Sequence, residues 1–139
     1  MRITARVENG RNRHQVALAT NDRMQSIPIP PKPDEFGSSV NGGELLFLAL
    51  ATCYRNDIYR EGAKRGIAVE RVEVEVTGDF ETEGAAATNV TYRPRVMAKT
   101  SEESIRELMV HTDRVAEIHN TLRTATPVTL SRVEAVRVD

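Results

Sequence analysis

The residue of this chain best suited to covalent chemistry is Cys53, its only cysteine. A thiol attacks as the thiolate, so a reactive cysteine needs surroundings that lower its pKa from about 8.5. Burial acts in the wrong direction. Asp57, one helical turn further along the same face, also opposes ionisation, and Arg55, two residues on, points to a different face. A thiolate at Cys53 therefore requires a cation from elsewhere in the fold. Arg11 and Arg13, at the first turn of the chain, are the candidates, and arginines at turns are otherwise simply solvated. Without such a cation, Cys53 is a small hydrophobe packed in a core.

The remaining chemistry-bearing residues are few. His14, His111 and His119 form no pair with metal-ligand spacing, and no second cysteine completes a zinc site, so no metal and no cofactor are expected. His111 and His119 are two helical turns apart and could share a face. Either could form a spatial Cys–His pair for acyl transfer if it reached Cys53. Glu44 either caps its own helix or holds an arginine near Cys53 in an ion pair. Gly42-Gly43 lacks the dinucleotide and P-loop patterns, so no nucleotide is expected.

The element that positions Cys53 is a helix from about Gly42 to Arg65. Asn41 is an N-cap with Glu44 at the capping-box position, and Gly66 is a C′ residue. Residues 45–51 are apolar on every face, which predicts a rod buried all round; beyond Cys53 the helix turns amphipathic. Upstream, alternation predicts strands over Arg2–Val7 and His14–Ala19, with turns at Asn9-Gly10 and Asn21-Asp22 and a third strand over Met24–Ile29. Four prolines between Pro28 and Pro33 predict an extended arm. Downstream, Val-Glu alternation predicts strands over Ile67–Phe80 and Thr88–Ala98, with Pro94 marking an edge or bulge. A helical pair follows, opened by Thr100 and Glu103 as a capping box and broken near His111–Asp113. A last strand is expected over Pro127–Val138. This order predicts an α+β fold, an antiparallel sheet with helices on one side. The greasy first half of the helix motivates a homodimer in which a partner covers it.

Composition narrows the function. A length of 139 residues predicts one domain, 1–139. Nineteen basic and twenty acidic side chains leave a net charge of −1. The lack of a basic patch and of a base-stacking platform argues against nucleic acid as partner. The longest apolar run is far shorter than the roughly 20 residues of a membrane span, so no membrane partner is expected. A lone cysteine and the absence of a secretory pattern predict a reducing, cytoplasmic setting.

The stretch Asn41-Gly42-Gly43-Glu44-Leu45-Leu46-Phe47-Leu48-Ala49-Leu50-Ala51-Thr52-Cys53 resembles the central-helix motif of the OsmC/Ohr family. The Val-rich strand from Gly66-Ile67 to Val76 and the late Asn120-Thr121-Leu122-Arg123 segment resemble it too. The resemblance implies an intertwined homodimer of α+β subunits with active sites at the interface. In the peroxidase branches of that family, a cysteine attacks an organic hydroperoxide and becomes a sulfenic acid, which a second cysteine resolves. An N-terminal arginine stabilises the thiolate and a glutamate orients that arginine. Carried over, Cys53 is the attacking cysteine, Arg11 or Arg13 the arginine and Glu44 the glutamate, although the family's glutamate commonly lies ten residues before the cysteine, where this chain has Gly43. The resolving position falls on Ala116, so an external thiol reductant would have to recycle the sulfenic acid. The implied function is a one-cysteine thiol peroxidase or redox-responsive protein. The alternative is a non-catalytic protein that binds a small apolar ligand at the dimer interface.

Overall fold

Local sequence signals set most of the elements. The structure, a computed structural model, describes residues 1–138. It divides into two units, residues 1–47 and the remainder from Leu48. In the first unit, β1 (Ile3–Gly10), β2 (Arg13–Thr20) and β3 (Arg23–Ser26) form an antiparallel sheet in that order. The turn at Asn21-Asp22 is as expected, with Thr20 paired to Arg23. The first turn is not at Asn9-Gly10. Gly10 pairs with Arg13, so the chain reverses through Arg11 and Asn12, and Asn12 takes the positive φ of 57°. Asn9 instead clasps a distant backbone: its side chain accepts from Gly37 N–H at 2.9 Å and donates to Gly37 C=O at 3.1 Å. The proline-rich arm then folds back through an isolated bridge between Pro31 and Ser38.

Helix α1 (Gly42–Lys64) opens at the expected cap. Glu44 N–H donates to Asn41 Oδ1 at 2.9 Å, and Asn41 N–H donates to Glu44 Oε2 at 2.8 Å, a reciprocal capping box. Its far end is closed by Gly66 at φ 66°. There Gly66 N–H reaches Ala63 C=O and Ile67 N–H reaches Gly62 C=O, the paired bonds of a Schellman stop.

The second unit contains most of α1 with β4 (Val69–Asp79), β5 (Thr88–Ala98), α2 (Glu102–Val115) and α3 (Glu117–Arg123). β4 and β5 pair antiparallel, with Val72 opposite Val96, Val74 opposite Pro94 and Val76 opposite Tyr92. Pro94 is tolerated because each strand of a two-stranded sheet has a free edge. The inward side chains pack on a core of Tyr54, Ile58 and Leu108. The α+β class expected from the element order is the one observed. Among the described residues, no helix is long and apolar enough to cross a membrane.

Four local expectations need correction. The helical break falls at Ala116, not near His111–Asp113. The α2 cap is Ser101, whose Oγ accepts from Ser104 N–H, rather than Thr100. No strand forms over residues 127–138. Val128, Leu130, Val133 and Val136 are exposed there, since alternation supplies a strand face but not a neighbouring strand to pair with. Finally, within a single chain α1 is buried through its second half and not through its apolar first half. Of residues 45–51 only Leu50 is buried, and Leu48 is 59 % exposed, whereas Tyr54, Asp57, Ile58, Glu61 and Gly62 are buried. Apolar composition states what a helix would bury against, not whether an element is present to cover it.

Candidate active site around Cys53

Cys53 and Asp57 share one face of α1, four residues apart. The Cys53 thiol donates to Asp57 Oδ2 at 3.4 Å. Three residues beyond Asp57, Arg60 Nη1 binds the other carboxylate oxygen, Oδ1, at 2.8 Å. The fourth member comes from α3: Glu117 Oε2 lies 4.0 Å from Cys53 Sγ, and Glu117 Oε1 lies 3.4 Å from Arg60 Nη1. Asp57 is almost fully buried, while Cys53 is half-buried.

The charges set the direction of each titration. Burial pushes the Cys53 thiol up; the Ile118 backbone N–H works against this, and the Asp57 and Glu117 carboxylates add to it. Asp57 is itself raised, first by burial and then by Glu117, against the pull of its bond to Cys53 and of Arg60. The thiol is thus stored protonated, next to a carboxylate of enhanced proton affinity. Cys53, Asp57 and Glu117 each offer a ligand atom, all within 4.8 Å of one another, a donor set that could hold a metal ion. Arg60 already supplies the positive charge to both carboxylates.

The docking of α3 completes this arrangement. His119 is buried against the rings of Tyr92, at 4.7 Å, and Tyr54, at 6.0 Å, the latter adjacent to Cys53 in sequence. Tyr92 donates to Asp113, and Arg123 binds the same Asp113 oxygen at 2.7 Å. Arg123 holds the Asp113 carboxyl below its ordinary range. His119 is held below 6.5, chiefly by burial and then by Arg123, and among the described residues neither ring nitrogen has a hydrogen-bond partner.

The residues singled out in the sequence are placed as follows. Arg11 sits in the β1–β2 turn, and Arg13 pairs with Glu8 at 3.6 Å and Gln15 at 3.0 Å. Glu44 is engaged as the helix cap. All three belong to the first unit, and Cys53 to the second. The histidines do not partner the thiol: His14 contacts Asn9, His111 Nε2 bonds Glu61 at 3.0 Å and His119 is unpartnered, so a Cys–His acyl hydrolase has no base here. Nor do His111 and His119 share a helix face, because Ala116 separates α2 from α3. Sequence reasoning missed Arg60 and Glu117. Arg60 was within reach of a spacing argument, since Cys53, Asp57 and Arg60 stand at i, i+4 and i+7. Glu117 carries no such signal, but it directly follows Ala116, the position at which the family resemblance puts a resolving cysteine.

Comparison with known proteins identifies the family and the fold. A family model described as OsmC-like protein matches residues 35–131, a span that includes Cys53, Asp57, Arg60 and Glu117. No curated protein matches the chain. Among solved structures, an OsmC-like protein of unknown function from Vibrio cholerae aligns with a TM-score of 0.63 at 17% identity, covering 87% of this chain and 93% of the other. An OsmC-like protein from Mycoplasma pneumoniae aligns with a TM-score of 0.59 at 18% identity, covering 86% and 87%. An organic hydroperoxide resistance protein OsmC from Legionella pneumophila aligns with a TM-score of 0.53 at 18% identity, covering 88% and 90%. These likenesses concern the fold; taken with the family match over most of the sequence, they lead to one conclusion: the chain belongs to the OsmC-like protein family.

Proposed function

We propose that this protein is a one-cysteine thiol peroxidase that reduces organic hydroperoxides through Cys53, as a homodimer of single OsmC-like domains in a reducing, cytoplasmic setting. One observation carries the reading. The only thiol of the chain lies outside the Tyr54–Ile58–Leu108 core and is half-buried in a polar cluster with a hydrogen-bonded acceptor and a fixed arginine. A cysteine kept only for packing has no use for those partners. Exposed Leu48 and Leu45 on α1 are the surface a second copy would cover. With Ala116 at the resolving position, two equivalents of an external thiol reduce the sulfenic acid, giving their disulfide and water.

A second reading draws on the raised Cys53 pKa, which suits a protein that binds a small apolar ligand and uses the cysteine only to pack. Turnover separates the two. With dithiothreitol as reductant, the wild type is expected to consume tert-butyl hydroperoxide catalytically and faster than hydrogen peroxide, with Cys53→Ser at the background rate. Equal rates for wild type and Cys53→Ser would overturn the peroxidase reading.

A further inference from the structure

Resting on Cys53 as the attacking thiol, we propose that Asp57 is the general base of the reaction, with Arg60 as the residue that positions it. The geometry assigns each carboxylate oxygen one task. Oδ1 is fixed by Arg60 at 2.8 Å, which leaves Oδ2 turned to the thiol at 3.4 Å. A base must lie within hydrogen-bond reach of the proton it removes, and for a sulfur donor this contact qualifies. Arg60 is itself held from both sides, by Glu61 Oε1 at 2.9 Å and Glu117 Oε1 at 3.4 Å, which restrains the carboxylate it binds.

In the step, the Cys53 proton passes to Asp57 Oδ2 as the sulfur lone pair attacks the terminal oxygen of the hydroperoxide. The S–O bond forms and the O–O bond breaks. Sulfur is oxidised to the sulfenic acid, the peroxide is reduced, and the departing alkoxide takes the proton from Asp57 and leaves as the alcohol. Asp57 ends as it began, a carboxylate bound to Arg60. Burial and the nearby Glu117 strengthen Asp57 as a proton acceptor, and this lets a thiol stored in its neutral form react without first accumulating as thiolate.

The test exploits a conflict of signs. Asp57 opposes thiolate formation, so Asp57→Asn lowers the Cys53 pKa. If Asp57 acted only through its charge, Asp57→Asn would react faster at neutral pH. If Asp57 is the base, Asp57→Asn reacts more slowly, by about 10²-fold, although its thiol ionises more readily. The measurement is the single-turnover rate of Cys53 sulfenylation by tert-butyl hydroperoxide across pH, with thiolate followed by ultraviolet absorbance. Wild type is expected to show a rate independent of pH over the neutral range, and Asp57→Asn a rate that rises in proportion to thiolate. Glu117→Gln lowers the thiol pKa but also weakens Asp57 as an acceptor and removes one partner of Arg60, so it is expected to react more slowly than wild type while keeping the flat profile. A wild-type rate that tracks thiolate, or a faster Asp57→Asn, overturns the assignment, and the wild-type profile decides the matter even if Asp57→Asn does not fold. A wild type no faster than a free thiol instead removes the underlying peroxidase reading.

Discussion

Asp57 and Glu61 stand one turn apart on the same face of α1, both carboxylates are nearly buried, and both bind Arg60. Their protonation behaviour is nevertheless opposite. Glu61 accepts from Lys64, Arg60 and His111, and its carboxyl falls to about 2. Asp57 has Arg60 as its one cation among the described residues, faces a thiol and another carboxylate, and is raised above its ordinary value. Burial alone therefore does not fix the state of a carboxylate; the balance between desolvation and the donors around it does. Glu61 anchors the helix to α2 through His111, while Asp57 is left with proton affinity in reserve. A buried group that the fold does not fully satisfy is a candidate for chemistry.

The largest stability effect is expected at Glu61. Glu61→Gln leaves Arg60, Lys64 and His111 around a neutral amide and should lower Tm by several degrees at neutral pH. Because the folded pKa of Glu61 lies below its ordinary 4.5, the stabilisation is complete above about 4.5 and is lost as pH falls through about 2, so the deficit of Glu61→Gln should fade over that window. Asp57→Asn should show the reverse sign. A raised folded pKa penalises the charged form, so the neutral isostere should match or slightly exceed wild-type Tm at neutral pH, and that difference should shrink as pH falls through the folded pKa of Asp57. Equal losses in both variants, followed by thermal unfolding, would break the contrast between the two carboxylates.

His119 sharpens the same comparison from the side of a buried base with no partner. Its folded pKa is depressed, so the unfolded chain takes up the proton first. The stability this group contributes is intact above about 6.5 and declines as pH falls from there toward the folded value. His119→Phe keeps a ring between Tyr54 and Tyr92 and should leave Tm at neutral pH nearly unchanged while removing that part of the acid-side decline. An unaltered pH dependence in His119→Phe would show that the ring carries no proton linkage.

How far the sequence revealed these features depends on the range of the interactions. Asn41, Glu44 and Gly66 act within a turn of their own positions, and the helix begins and ends where they indicate. The Val-Glu alternation of β4 likewise depends only on the two faces of a strand. Asp57 was legible as an opponent of the thiolate because four residues is one helical turn. Glu117 was not, because it reaches Cys53 only when α3 docks through His119, Tyr92 and Asp113. The break at Ala116 escaped notice because alanine carries no helix-stop signal. The exposure of Leu48 and the absence of a strand over residues 127–138 depend on what lies opposite them, which no local pattern encodes.

The proposed peroxidase activity requires Cys53 to be a nucleophile built for peroxide and not a packing residue. Its most direct test is intact-mass spectrometry of wild type and Cys53→Ser after brief exposure to tert-butyl hydroperoxide with a sulfenic-acid trap present. Rapid, stoichiometric trapping on Cys53 is expected, well above the rate of a free thiol, and none in Cys53→Ser. A folded wild type whose thiol stays unmodified would contradict it and leave an OsmC fold kept for binding.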